Sequence, residues 1–291
     1  MVVYSITDLE QLSGVKAHTL RIWEKRYSIL SPKRTKTNIR YYLDEDLKHL
    51  LNIALLNKHG IKISKIAEMS SDQIQKKVAE ITEIDESFEG QIDSLTISVL
   101  ELDDEKCTKI IDKKIEELGF TTTMTDVIYP LLDKTAMMWL TGSIKAIHEK
   151  FISSLIRRKC IAEIDKLPHA DRNTFLIYLP KGETNELSLL FLHYLIREQG
   201  HKVISAGSEV DIYDLMEAKD FCSPDFIFTI LNEITITEDM KEQMQMLCKV
   251  YPDSKLILSG IQTMNTDINQ ENGNCILLHT FAETIQFLEG L

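Results

Sequence analysis

The hydrophobic positions change their spacing along the chain, and the change divides it into three parts. In residues 1–75 and 78–168, apolar residues recur every three or four positions, which predicts helices. From about Thr174 onward, compact apolar runs alternate with helical stretches, which predicts β-strands separated by helices. We therefore predict three domains at 1–75, 78–168 and 172–291.

Two short helices around a glycine turn are predicted near the N-terminus. Thr7 and Glu10 have the spacing of a capping box at the start of the first helix. The second helix should run from about Lys16 to Tyr27. Because Leu20 and Trp23 lie three residues apart, they share one helical face and should pack on the first helix. The opposite face is polar and basic, as in a recognition helix that enters a major groove.

A basic segment follows the second helix and is predicted to form a short hairpin, or wing. Pro32 cannot continue a helix. Residues 1–77 hold 14 Lys and Arg against 8 Asp and Glu, whereas residues 78–291 hold 19 against 37. A basic end on an acidic chain indicates that this segment meets a polyanion. We predict a winged helix-turn-helix that binds double-stranded DNA, with contacts from Lys16, His18, Thr19, Arg21, Lys33, Arg34, Lys36, Arg40 and Tyr42.

This N-terminal segment resembles the MerR family of transcriptional regulators. The matching positions are Gly14-Val15, Thr19-Leu20-Arg21, Trp23-Glu24, Arg26-Tyr27, Leu30, Pro32, Arg34, Arg40 and Tyr42. Asn38 departs from the family, which usually has glycine in the wing turn. The resemblance adds Arg26 and Tyr27 to the DNA surface, and it implies that Glu24 orients a neighbouring arginine.

The middle of the chain is predicted to be a four-helix bundle. Gly119 and Pro130 should divide residues 78–165 into about four helices. A core stripe is predicted at Ile92, Leu95, Val99 and Leu102.

The last 120 residues predict a flavodoxin-like Rossmann domain with a five-stranded parallel sheet. The apolar runs lie at 175–179, 202–207, 225–231, 255–260 and 275–279. Such domains bind ligands beyond the carboxyl ends of their strands. Glu183 and Glu186, in the first of the loops at this edge, are interpreted as an acidic pair at a helix N-terminus.

A MerR-type head, a helical bundle and an α/β domain, in this order, resemble the cobalamin-binding branch of the family, which includes light-sensing repressors of carotenoid genes. The resemblance implies a corrin ring between the last two domains. It places Trp139 over the upper face, with Gly142 also matching and with Glu149 at the family glutamate. At the lower side it implies cofactor positions at Asn185, Ser259 and Gly260.

Four positions depart from that branch. Asn185 stands where the family has the cobalt-ligating histidine, and an amide is a poor cobalt ligand. Ser188 stands at the glycine position of the same loop motif. Ser259 replaces the first glycine of a pair that lets the nucleotide tail approach. Lys150 replaces a second histidine, and His148 lies two residues away, a shift that turns a helical side chain by about 200°.

We therefore predict a transcriptional regulator whose C-terminal module serves as a sensor or in oligomerisation, without conventional histidine-ligated cobalamin. The alternative is a cobalamin-dependent, light-responsive repressor, with adenosylcobalamin as its cofactor. The expected partners are promoter or operator DNA, further copies of the chain, and RNA polymerase or a small-molecule ligand.

Other classes of protein have no support in the sequence. No GxSxG, P-loop or HExxH pattern occurs, so we do not expect an enzyme. The histidines are scattered and the five cysteines form no CxxC pair, so we predict buried free thiols and no metal site. No apolar run is long enough to span a membrane, and no secretion signal is visible, so we expect a cytoplasmic protein.

Overall fold

The computed structural model describes residues 4–34, 40–84, 88–140, 144–169, 171–233, 236–265 and 274–291. The chain folds into two compact units, Met1–Leu155 and Ile156–Leu291. The division into three domains made from the sequence stays a prediction, since the first unit holds both the N-terminal head and most of the helical segment.

The head has the predicted helix-turn-helix and wing. Gly14, with φ 71°, ends the first helix in the left-handed region that favours glycine. The elements are α1 (Ile6–Ser13), α2 (Ala17–Tyr27), β1 (Lys33–Arg34), β2 (Arg40–Tyr41), α3 (Asp44–Lys58) and α4 (Ile63–Ile66). The predicted capping box was misplaced by two residues, because Ser5 and Asp8 form it instead of Thr7 and Glu10.

The core of the head confirms the predicted packing of the two helices. Leu9 of α1 and Leu20 of α2 are fully buried, and Trp23 is almost so. The base of the wing is held by Tyr4 and Tyr42, whose backbones exchange two hydrogen bonds of 2.9 Å. The chain before α1 and the chain after the wing therefore meet under the recognition helix.

In the helical segment, a helix ends at Gly119 as predicted, but no helix ends at Pro130. The helices are α5 (Ser71–Ile84), α6 (Phe88–Glu101), α7 (Asp104–Leu118), α8 (Phe120–Thr123), α9 (Tyr129–Leu140) and α10 (Ala146–Lys166). A π-helical stretch, Met124–Ile128, joins α8 directly to α9. Pro130 therefore lies within one continuous helical stretch, where the widened turn accommodates the missing N–H.

The stripe predicted on α6 is correct in its middle and wrong at its end. Leu95 and Val99 are buried, but α6 ends at Glu101 and Leu102 is 40% exposed. Leu102 has φ 55°, so it leaves the helix in a left-handed conformation instead of continuing the apolar face.

The second unit has the predicted five-stranded parallel sheet with helices between its strands. Its elements are β3 (Thr174–Pro180), α11 (Glu186–Glu198), β4 (Lys202–Val210), α12 (Ile212–Glu217), β5 (Phe226–Ile230), α13 (Glu238–Val250), β6 (Lys255–Ser259), β7 (Cys275–Leu278) and α14 (Phe281–Glu289). The strand order is β4-β3-β5-β6-β7, and every pairing is parallel. This is the order of flavodoxin-like folds.

The sheet order fixes where a ligand site would lie. Every residue of β5 is buried, as are Phe175 to Leu179 of β3, because helices cover both faces. The direction of the chain connections reverses at the neighbouring strands β3 and β5. The loops that follow these two strands therefore flank the crevice at which open α/β sheets bind ligands.

The prediction of buried free thiols is only partly correct. All five thiols are free, and Cys107 and Cys160 are buried as expected, whereas the other three are only half-buried. None of the helices within the described ranges has the length and apolar character needed to cross a lipid bilayer.

Candidate nucleic-acid interface and strand-end site

The recognition helix α2 presents its predicted polar face to solvent. Leu20 and Trp23 point into the core of the head, so the residues between them project outward. The exposed side chains of α2 and of the residue that precedes it include Lys16, His18, Arg21 and Arg26, whereas Thr19 and Tyr27 are half-buried.

Glu24 connects the recognition helix to the wing. Its carboxylate accepts a hydrogen bond from Arg40 Nε at 3.2 Å and another from the Tyr42 hydroxyl at 3.4 Å. Burial and the Glu24 carboxylate raise the pKa of Tyr42 to about 12, so this hydroxyl remains a proton donor throughout the physiological range. The structure therefore agrees with the implied role of Glu24, which holds an arginine in place.

An arginine of α2 and two arginines of the wing lie in the same part of the head. Arg34 pairs directly with Arg40 across the two wing strands, and directly opposite residues project from the same face of a ribbon. The guanidinium groups of both Arg40 and Arg21 lie near enough to the Tyr42 hydroxyl to lower its pKa, opposing the effect of burial. Arg21 of α2 and Arg34 and Arg40 of the wing therefore bring positive charge to the same part of the head.

Two of the predicted DNA contacts, Tyr42 and Lys36, are not found on the exposed surface of the described residues. Tyr42 is fully buried, so its ring and hydroxyl support Glu24 from below and are not available to a phosphate. This corrects its assignment to the DNA surface. Lys36 lies outside the described residues, as does the departure at Asn38. Lys33 and Arg34 are exposed at the base of the wing.

Glu10 has a role that the sequence pattern concealed. Its carboxylate accepts a hydrogen bond of 3.1 Å from the Ala17 N–H and pairs with Lys16 at 3.2 Å. It therefore caps the start of α2 from within α1, seven residues earlier. The backbone hydrogen bond and Lys16 hold the pKa of Glu10 below its usual value. The sequence did contain a sign of this role. Ser5 and Asp8 also have capping-box spacing, so α1 could be capped without Glu10.

In the second unit, Asn185 is a helix cap. Its side-chain oxygen accepts a hydrogen bond of 3.2 Å from the Ser188 N–H at the start of α11. An oxygen used in this way satisfies one of the first N–H groups of the helix. His193 lies two turns further along α11, so it does not occupy the position implied for the missing histidine.

Glu183 bridges the crevice between the loops after β3 and β5. It is fully buried, and one carboxylate oxygen accepts backbone N–H groups of Asn232 at 2.8 Å and Glu233 at 2.9 Å. The interpretation of Glu183 as half of a helix-terminal pair was therefore wrong. Glu186 does lie in the first turn of α11, where it pairs with Arg157 at 2.7 Å.

Ser259 and Gly260 are also engaged by the protein itself. The Ser259 hydroxyl is buried 3.1 Å from that of Thr284 on α14. Gly260 has φ 114°, and a Cβ there would collide with the carbonyl oxygen of Leu231. The glycine is thus required by the neighbouring loop, whether or not a nucleotide tail approaches.

These residues do not fit histidine-ligated cobalamin. The position implied for the ligand is an amide used as a cap, and the loops on both sides of the crevice are joined by Glu183. In the first unit, Trp139 is 49% exposed near the end of α9 and Glu149 is exposed on α10. His148 accepts a hydrogen bond from the Lys145 N–H at the start of α10, and Gly142 lies outside the described residues.

Comparison with known proteins agrees with the geometry of the head. Residues 4–73 match the model of the MerR HTH family regulatory proteins. The chain is 25% identical over 256 residues to the HTH-type transcriptional repressor CarH of Myxococcus xanthus, which covers 86% of this chain and 85% of that protein. It is 22% identical over 225 residues to the repressor CarA of the same organism, covering 76% and 74% respectively.

The fold has a counterpart among solved structures. The monomethylamine corrinoid protein of Methanosarcina barkeri superposes with a TM-score of 0.53 at 11% identity, over 70% of this chain and 99% of that one. At this identity the likeness concerns the fold alone.

Residues 4–73 therefore form a MerR-type helix-turn-helix domain, the DNA-binding domain of a family of regulatory proteins. Within that family the chain is related to the CarH and CarA repressors, and it carries a C-terminal fold of the kind found in corrinoid proteins.

Proposed function

We propose that this regulator binds operator DNA with α2 in a major groove and with the wing on the adjoining backbone. One observation carries the proposal: Arg21 of α2 and Arg34 and Arg40 of the wing lie in the same part of the head, while Leu20 and Trp23 of α2 are buried in its core. A helix that is locked on one face and cationic on the other has the layout of a recognition helix.

We further propose that several copies of the chain bind together. A single small head has few phosphate contacts, and affinity for DNA rises with the number of phosphates neutralised. The acidic remainder of the chain is repelled by DNA, which confines contact to the head. The α/β unit would then serve as a sensor or an oligomerisation module that decides when the heads are assembled.

The DNA interface is tested by substituting Arg40 with alanine. Arg40→Ala should weaken binding to specific and non-specific duplexes alike, and it should reduce the slope of log affinity against log salt by about 1, as expected for the loss of one phosphate contact. Lys150→Ala, which removes an exposed charge from α10, is the matched control. Unchanged affinity and salt slope in Arg40→Ala, measured by fluorescence anisotropy, would exclude the wing from the interface.

We also propose that the α/β unit does not hold cobalamin through a histidine. The support is the use of Asn185 as a cap and of Glu183 as a bridge between loops. Purified protein should be incubated with adenosylcobalamin in the dark and then desalted. A colourless product is expected. Retained corrin with the absorbance spectrum of histidine-ligated cobalt would contradict this part of the proposal, whereas retained corrin without that spectrum would favour the second candidate.

The second candidate is a cobalamin-dependent repressor that responds to light. It is favoured by the corrinoid-protein fold, by the relation to CarH, and by the half-exposed indole of Trp139. Its signature would be retained corrin together with operator binding that differs between dark and illuminated samples. A Trp139→Ala variant that retained less corrin than the wild type would assign the indole to the cofactor.

A further inference from the structure

An aliphatic side chain is exposed on the polar face of the recognition helix. Ile22 is 46% exposed, although Leu20 and Trp23 of the same helix are buried. Because successive helical residues are rotated by about 100°, Ile22 lies about 200° around the axis from Leu20 and about 100° from Trp23. Its side chain therefore projects away from the core of the head, on the face that the interface proposed above presents to DNA.

The neighbours of Ile22 on this face are basic side chains. His18 lies four residues before Ile22, and Lys25 and Arg26 lie three and four residues after it, so all three share its side of the helix. All three are exposed. Within the described residues of the head, 4–34 and 40–70, Ile22 is the only large apolar side chain that is neither buried nor half-buried. It is an aliphatic position among side chains suited to contact DNA.

Duplex DNA offers one kind of partner to an aliphatic side chain in this position. Phosphates attract the cations of α2 in every sequence alike, and isoleucine adds nothing to that attraction. In the major groove the base edges present hydrogen-bond donors and acceptors, and the apolar group among them is the C5 methyl of thymine. Contact between this methyl and Ile22 removes apolar surface of both from water, which is favourable.

We propose that Ile22 contacts the C5 methyl of a thymine in the major groove and so helps to select the operator sequence. This contact depends on the DNA interface proposed above and adds a sequence-reading side chain to it. The neighbouring cations set the affinity for any duplex, whereas Ile22 favours a duplex with a thymine at one position. Loss of that methyl should reduce the affinity about fourfold, as expected for one buried methyl group.

The test compares thymine with deoxyuridine, which lacks only the C5 methyl. Full-length protein selects bound duplexes from a random library, and each thymine of the selected site is then replaced in turn by deoxyuridine. In fluorescence anisotropy the wild type should lose about fourfold in affinity at one or more of these positions. Ile22→Ala should bind the thymine and deoxyuridine duplexes equally at the same positions, and Ile22→Leu should retain most of the discrimination.

Ile161→Ala is the matched control, because Ile161 is also 46% exposed but lies on α10, outside the head. This variant should distinguish thymine from deoxyuridine as the wild type does. Circular dichroism verifies that each variant folds. Because the wild type and Ile22→Ala are compared on the same pair of duplexes, any effect of deoxyuridine on the shape of the DNA cancels.

Discrimination that is lost in Ile22→Ala and kept in Ile161→Ala supports the contact. A wild type that binds every deoxyuridine duplex as tightly as the thymine duplex overturns it, and so does undiminished discrimination in Ile22→Ala. In both of these cases DNA is still bound, so the proposed interface itself survives. A wild type that binds no duplex would overturn the interface and the contact together.

Discussion

Arg40 Nε donates a hydrogen bond of 3.2 Å to Glu24, sixteen residues earlier in the chain. The Glu24 side chain is 17% exposed and the Arg40 side chain 42% exposed, so the carboxylate is sheltered while the guanidinium remains accessible. The pair fixes the position of the wing relative to α2 and leaves the positive charge on the surface. In the DNA interface proposed above, a carboxylate thus contributes to binding a polyanion without touching it.

Glu24→Gln should weaken operator binding about two- to fivefold, the size expected when a partly exposed ion pair is lost. In an Arg40→Ala background the same substitution should not weaken binding, because it then removes only a negative charge near the phosphates. A double-mutant cycle by fluorescence anisotropy measures this coupling. Equal weakening in both backgrounds would show that Glu24 does not act through Arg40.

Asn185→Ala should lower the free energy of unfolding by about 1 kcal/mol, because the cap of α11 is lost. Asn185→Asp should restore most of that stability, since its carboxylate accepts the same Ser188 N–H. Urea denaturation followed by circular dichroism measures both variants. If Asn185→Ala were as stable as the wild type, capping would not explain the residue at this position.

Gly260→Ala should destabilise the second unit by more than about 3 kcal/mol, since the new Cβ meets the Leu231 carbonyl and φ is 114°. Gly207→Ala is the matched control. Its φ is 83°, but no described atom lies within 4 Å of the added Cβ, so it should cost only about 1–2 kcal/mol for the left-handed backbone. Similar losses in the two variants, measured by urea denaturation, would contradict the proposed clash.

His201 should make the protein less stable in mild acid. Burial, assisted by Arg172, lowers the pKa of this imidazole in the folded state. Between the lowered pKa and the unfolded value of about 6.5, the unfolded chain binds more protons, so stability falls as pH falls. His201→Asn keeps an acceptor for the Asn173 N–H but does not titrate. It should flatten the dependence of the thermal midpoint on pH below about 6.5, and an unchanged slope would exclude His201 as the cause.

The α/β unit could be predicted almost element by element, because its signal is local. Each buried strand is a compact apolar run, and each run is separated from the next by a helical stretch or a turn. The prediction placed the second strand at 202–207, whereas β4 continues to Val210. β4 lies at the edge of the sheet and is only partly buried, so its last residues lack the apolar character by which strands are found.

Features that depend on contacts between segments distant in the chain could not be predicted from the sequence. The ion pairs of Asp93 with Lys58 and Lys134 join helices that lie far apart in the chain. The spacing of Thr7 and Glu10 fits a capping box as well as that of Ser5 and Asp8, and only the backbone at the start of α1 distinguishes them. The head was predicted well because its surface residues follow one helical period.

The close packing at Gly260 limits the use of this glycine as a motif for classifying such proteins. The neighbouring loop requires this glycine for its own packing, so the glycine is needed whether or not a cofactor binds. A pattern search that scores the glycine therefore does not distinguish a cofactor site from the same fold without one. Position 185, whose side chain caps α11 in this chain, is the more informative of the two.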